Sequence, residues 1–236
     1  MKFTNSIVLL AALAAVPVGA QTHVYSLQGT LADAMGGPSL VADGGSLGAN
    51  GYSFGKNQGL TLSGVFAFNA SYTLVLRASL DTVLGYRKIV DFKDQTSDNG
   101  YYTYFGKANL YPYNLPPTTP YSAGASAVTV LTRDFATDIF TAYVGGVQQF
   151  QVVDGGKYSN FDFASGIAHF FEDDFIAGQL EASPGFVNYI ATYDVALSSA
   201  QVAALSGTLA APEPASLTLL ATGLLGICAV ARRRRR

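Results

Sequence analysis

Tyr72-Thr73-Leu74-Val75-Leu76-Arg77-Ala78-Ser79-Leu80 is the stretch on which the reading of the fold turns. Tyr72, Leu74, Leu76 and Ala78 alternate with Thr73, Val75, Arg77 and Ser79, and a period of two puts the two sets on opposite faces of a strand. The same reasoning predicts further strands over His23–Gln28, Tyr52–Phe54, Gly59–Leu62, Lys88–Phe92, Tyr101–Phe105, Val128–Thr132, Gly166–Phe171 and Gly185–Tyr193. Ile139–Val144 and Val147–Val153 flank Gly145-Gly146, which supplies the positive φ angles of a tight hairpin turn. Residues 33–50 are rich in Gly, Asp and Ser and read as loop, and Asp94–Gly100 as a polar turn. Pro112, Pro116, Pro117 and Pro120 make Tyr111–Pro120 an extended loop that no sheet interior accepts. Short strands at intervals of roughly 8–12 residues imply an antiparallel sandwich or barrel. Helical spacing enters only at Ser198–Leu205. There Ser198 and Gln201 can form a capping box, Leu197 can staple onto Val202, and Gly207 is placed to end the helix.

The two ends do not belong to this pattern. Met1–Ala20 carries Lys2, an apolar stretch from Ile7 to Val16, and Val18-Gly19-Ala20 before a cut expected between Ala20 and Gln21, the plan of a secretory signal peptide. At the other end Pro212-Glu213-Pro214 precedes an apolar run from Ala215 to Ala231, closed by Arg232, Arg233, Arg234, Arg235 and Arg236. A helix of about 17 residues rises roughly 26 Å, a little short of the ~30 Å hydrocarbon core. Its insertion is marginal, and the arginines orient it with their side in the cytoplasm. Pro212 and Pro214 keep the backbone before them extended, a shape that a processing enzyme's groove could hold.

Residues 21–211 remain for fold reasoning, enough for one sizeable core. Lys2 and the five terminal arginines account for six of the 14 basic residues, and Glu213 for one of the 16 acidic ones. The middle therefore holds 8 basic and 15 acidic residues, a formal charge of −7. That excess disfavours nucleic acid and anionic lipid as partners. The single cysteine, Cys228, lies in the apolar tail, so the domain has neither a disulfide nor a thiol to work with.

The order of Pro-Glu-Pro triplet, apolar helix and arginine cluster over Pro212–Arg236 resembles the PEP-CTERM sorting signal of Gram-negative bacteria. The resemblance implies passage through the secretion machinery, a transient hold in the inner membrane, and cleavage near Pro212–Pro214 by a membrane-embedded exosortase. The mature protein would then reside on the cell surface or in the extracellular matrix. A second resemblance covers most of residues 21–206. Phe170-Phe171-Glu172-Asp173-Asp174, then the strand Gly185–Tyr193, then Tyr193-Asp194-Val195-Ala196-Leu197-Ser198 before a small helix, looks like bacterial laminin-G-like, or concanavalin-A-like, jelly rolls. It implies an all-β, antiparallel two-sheet jelly-roll sandwich with one short helix near its C-terminal side, flanked by an N-terminal signal helix and a C-terminal transmembrane helix. It also implies a concave face and, in some relatives, calcium on a rim. The expected layout is a signal peptide over 1–20, the jelly roll over 21–207, a linker over 208–211 and the sorting signal over 212–236.

Glycosidase chemistry needs paired carboxylates about 5–10 Å apart. Glu172 and Asp174 share a strand face, but the Glu-x-Asp-x-x-Glu pattern of glucanases of this fold fails, with Ala177 where the second glutamate belongs. No enzyme is expected. Glu172, Asp173 and Asp174 suit calcium better, since a hard cation gathers carboxylates and relieves their repulsion. The competing reading is a solvated acidic loop. Asp154-Gly155-Gly156 is a weaker cation candidate that also reads as a turn. Tyr101, Tyr102, Tyr104, Tyr111, Tyr113 and Tyr121 cluster around the proline loop, and their flat amphipathic rings suit an extracellular polysaccharide. The competing reading has them filling the core. His23 and His169 show no sign of meeting. The expected function is glycan or matrix binding, with a non-binding structural surface protein as the alternative.

Overall fold

A computed structural model describes residues 21–113 and 118–210. The strands in chain order are β1 (His23–Tyr25), β2 (Val41–Ala42), β3 (Ser46–Gly48), β4 (Gly51–Phe54), β5 (Leu60–Leu62), β6 (Tyr72–Leu80) and β7 (Tyr86–Asp91). They continue as β8 (Gly100–Tyr104), β9 (Lys107–Tyr111), β10 (Ala127–Asp134), β11 (Ile139–Val144), β12 (Val147–Val153), β13 (Ala168–Phe170) and β14 (Gly185–Tyr193), before the helix α1 (Ser199–Ala210). One sheet runs β12-β11-β10-β6-β14-β4-β3, with β1 also paired to β14. The other runs β2-β5-β13-β7-β8-β9, and every pairing in both is antiparallel. The described residues thus form an all-β sandwich of two antiparallel sheets with one short helix. The expected signal helix, residues 114–117 of the expected Tyr111–Pro120 loop, and the expected transmembrane helix lie outside the described residues.

β6 sits at the centre of the first sheet, between β10 and β14. Leu74, Leu76 and Leu80 point into the space between the sheets and pack there with Leu131, Phe140, Tyr101 and Phe170. The opposite face of β6 is buried too. Val75 joins Val128, Val130, Tyr143, Ala191, Tyr193, Leu197 and Val202 in a second cluster beneath α1. Thr73 donates from Oγ1 to Val195 O at 2.7 Å and accepts from Leu197 N at 2.9 Å, so the segment entering the helix is tied to the strand it covers. Local alternation cannot show this, because the cover arrives more than 120 residues later.

The capping box forms as expected. Ser198 N donates to Gln201 Oε1 at 2.9 Å and Gln201 N to Ser198 Oγ at 3.4 Å. The helix does not end at Gly207 but continues to Ala210, because nothing crowds Gly207 and its φ stays out of the left-handed region. Gly145 and Gly146 adopt φ of 60° and 80° in the β11–β12 hairpin. Three strands escape the sequence reading: β2 and β3 inside the glycine-rich loop, and β9 before the prolines. β2 and β3 are two and three residues long, and β9 alternates too briefly to stand out.

Candidate functional site

The two faces of β8 separate two kinds of tyrosine. Tyr101 turns inward, where its hydroxyl meets that of Tyr121 at 2.9 Å, and Tyr121 meets Thr129 Oγ1 at 2.8 Å. Tyr102 and Tyr104 occupy the other face, the one turned away from the core. Register carries that face across the sheet: Tyr102 lies beside Lys88 of β7 and Asn109 of β9, and Tyr104 beside Tyr86 and Lys107. Tyr86 and Tyr104 stack with ring centroids 4.2 Å apart, and Tyr111 meets Tyr86 edge-on at 5.8 Å. All three are half-buried, so their rings form a partly exposed platform with Tyr102 buried at its base.

An excursion of the chain overhangs the same face. Phe171 N donates to Ile89 O at 3.1 Å, the chain then leaves β7, and it returns where Lys88 N donates to Glu181 O at 2.8 Å. Asp173 and Asp174 lie in this excursion and are fully buried, as are Lys88 and Asp91 beneath them. Lys88 Nζ lies 3.0 Å from Asp91 Oδ2 and 3.5 Å from Asp173 Oδ1, and it donates to Asp174 Oδ2. The ring of Tyr102 closes the cluster 5.0 Å from Nζ. The carboxylates are held from outside as well. Asp91 Oδ1 accepts from Lys93 N and Gln95 N, Asp173 Oδ2 from Glu181 N, and Asp174 Oδ1 from Ala177 N.

This placement corrects the reading of the acidic triplet as a solvated loop. It also supplies a counter-charge other than calcium, because the ammonium of Lys88 stands among the carboxylates. The triplet itself is split: Asp173 and Asp174 face Lys88, whereas Glu172 faces His169. Among the described residues no three His, Cys, Asp or Glu side chains are grouped to hold a metal ion. Asp154 is likewise a turn carboxylate, accepting from Tyr158 N, Ser159 N, Ser159 Oγ and the Tyr113 hydroxyl. That contact takes Tyr113 away from the platform, against the edge of Tyr158. Of the tyrosines singled out from sequence, the structure gathers Tyr102, Tyr104 and Tyr111, places Tyr101 in the core, and adds Tyr86.

Electrostatics on this face follow from burial among like charges. Glu181 is pushed up to about 7, by burial first and then by Asp173 and Asp98. Burial also raises Asp98, whose carboxylate accepts from the Tyr102 hydroxyl at 3.1 Å, and Asp173. Burial works against the charge on Asp174, but its bonds from Lys88 and Ala177 N hold it below the usual range. Lys88 is opposed by burial and nevertheless raised by Asp91 and Asp174. Farther along the sheet His169 sits between Glu172 Oε2 at 3.0 Å and Asp94 Oδ1 at 2.8 Å. Burial lowers it, and the two carboxylates more than reverse that. His23, on β1 of the other sheet, pairs separately with Asp33 in the loop that follows.

Lys88, Asp91, Asp98, Glu181 and Tyr86 were not legible as site residues. The one available signal was Lys88 and Asp91 inside a strand, and three residues apart on a strand normally means opposite faces. A bulge between Lys88 and Val90 brings them to one side.

The PEP-CTERM protein-sorting motif matches residues 210–236. The sequence therefore ends in a sorting motif, which implies export and exosortase-mediated sorting to the cell surface. No curated protein matches the chain by sequence. The fold is similar to part of a Trypanosoma rangeli sialidase, solved with 2,3-difluorosialic acid, with a TM-score of 0.62 and 17% identity over 81% of this chain and 33% of the other. The binding domain of botulinum neurotoxin serotype D gives 0.56 and 9% identity over 80% and 51%. Domain 4 of an extracellular arabinanase from Geobacillus stearothermophilus, in complex with arabinotriose, gives 0.55 and 15% over 80% of this chain and 100% of that one. The chain spans about a third of the length of the sialidase chains it resembles. At these identities the likeness is one of fold.

Proposed function

We propose that the protein is a surface or extracellular-matrix component, processed by an exosortase, whose jelly-roll sandwich binds extracellular polysaccharide without cleaving it. The observation that carries this reading is the half-buried platform of Tyr86, Tyr104 and Tyr111 on a sheet face turned away from the core. Stacked tyrosines present flat apolar rings with polar edges, which suits the faces and hydroxyls of a neutral sugar. The arabinotriose held by a domain of this fold supports the ligand class. The acidic balance of the chain favours a neutral glycan over a polyanion.

Affinity electrophoresis in gels containing arabinan or the host's own exopolysaccharide tests the reading. Retardation by a polysaccharide, lost in Tyr86→Ala/Tyr104→Ala, is the expected result. Unchanged mobility in every gel would favour the structural alternative, a surface protein without a glycan ligand. Release of reducing sugar by the wild type would contradict the non-enzymatic part.

A further inference from the structure

We propose that Lys88 and Asp174 condense to an intramolecular isopeptide bond that ties β7 to the excursion over the second sheet. The two side chains touch through Nζ and Oδ2, come from positions 86 residues apart, and are fully shielded from solvent. Burial removes the bulk water that would favour hydrolysis. Fixed contact replaces a bimolecular encounter by an effective concentration of about 10⁵–10⁸ M. Neither partner is free to leave: Asp174 is anchored through Oδ1 by Ala177 N, and Lys88 is a central strand residue under the ring of Tyr102.

The neighbours supply the proton transfers. Asp91 Oδ2, 3.0 Å from Nζ, takes one proton from the ammonium and exposes the nitrogen lone pair. Passed on to Oδ2 of Asp174, that proton leaves a neutral carboxyl open to attack; Nζ then attacks Cγ, the Nζ–Cγ bond forms, and the Cγ–Oδ2 bond breaks. The oxygen departs as water, carrying two of the three ammonium protons, the first relayed through Asp91 and the second through Asp173. Asp173 Oδ1 is suited to the relay, because it is buried without a hydrogen-bond donor and lies 3.5 Å from Nζ. No oxidant or cofactor is consumed. Condensation also removes one cation and one anion from a place that solvent does not reach. A covalent tie suits a domain that contains no cysteine.

Intact-mass measurement and tryptic mapping of the exported protein, purified from its host, test this directly. The expected mass is that of the processed polypeptide less one water. Trypsin should spare Lys88 and yield residues 88–93 as a branch on the peptide beginning at Tyr158. Lys88→Ala and Asp174→Ala should each restore the missing water, and Asp173→Asn should slow linkage by about 10²–10⁴-fold. A folded wild type with the full polypeptide mass and a cut after Lys88 would overturn the proposal and leave a buried ion pair. A branch mapped to Asp91 or Asp173 would overturn the assignment to Asp174. Should either alanine variant fail to fold, the wild-type map alone decides.

Discussion

Lys88 Nζ lies 3.0 Å from Asp91 Oδ2, and neither side chain reaches solvent. Around this pair the sandwich buries two more carboxylates, Asp173 and Asp174, from a segment far away in sequence. Lys88→Met should therefore be among the most damaging single changes. In the unlinked chain it leaves several buried acids without a cation, and breaking such a pair costs about 3–5 kcal/mol. Urea unfolding of wild type and variant measures it, and a loss below about 1 kcal/mol would show that the cluster is held by other means.

Tyr104→Ala addresses the platform without touching the core. The ring is half-buried and stacks on Tyr86, so its loss should weaken polysaccharide retention about three- to ten-fold. The thermal midpoint should fall little. Tyr101→Ala serves as the contrast: it empties the core and breaks the contact with Tyr121, and should destabilise by about 3–5 kcal/mol.

Stability should fall as pH rises through neutrality. Glu181 is raised in the folded state, from 4.5 to about 7, so the native protein holds that proton more tightly than the unfolded chain. Its contribution is complete below about 4.5 and is lost as pH climbs through about 7. His169 acts with the same sign: its raised folded value stabilises fully below about 6.5 and fades above it. Glu181→Gln should flatten the slope between pH 5 and 8, with a gain of about 1 kcal/mol at the alkaline end because solvent screens this half-buried site. Equal slopes for wild type and variant in denaturant titrations across that range would refute the assignment.

Asp33 fastens the loop after β1. Its carboxylate accepts from Val24 N at 2.8 Å, Met35 N at 3.0 Å, Gly37 N at 2.8 Å and His23 Nδ1 at 2.7 Å. Although burial opposes it, these bonds hold the carboxyl below its usual range. Asp33→Ala removes the acceptor of these part-buried bonds and should cost about 1 kcal/mol. Amide exchange at Val24 and Met35 should speed up, and protection equal to wild type would count against the role.

Replacing Pro212-Glu213-Pro214 by alanines should leave the protein in the membrane fraction with its C-terminus intact. The wild type should be recovered without that segment. C-terminal peptide mass spectrometry distinguishes the two, and an unprocessed wild-type terminus would contradict exosortase cleavage.

Much of the sandwich could be read locally. Tyr72–Leu80, Ile139–Val144, Val147–Val153 and Gly185–Tyr193 are strands with the bounds that alternation and the glycine turn imply. The sorting motif was legible for a similar reason, since its parts are contiguous. Side-chain period, turn glycines, the capping box and the C-terminal sorting motif are properties of neighbouring residues, so sequence alone determined them. Which tyrosines face outward, and what sits among Asp91, Asp173 and Asp174, was decided only when β7, β8 and the 172–180 excursion came together. A bulge after Lys88 reset the register, and the lysine met carboxylates that no spacing rule links to it. Charge pairing and burial depend on distance in space, and the sheets bring together residues that the chain keeps far apart.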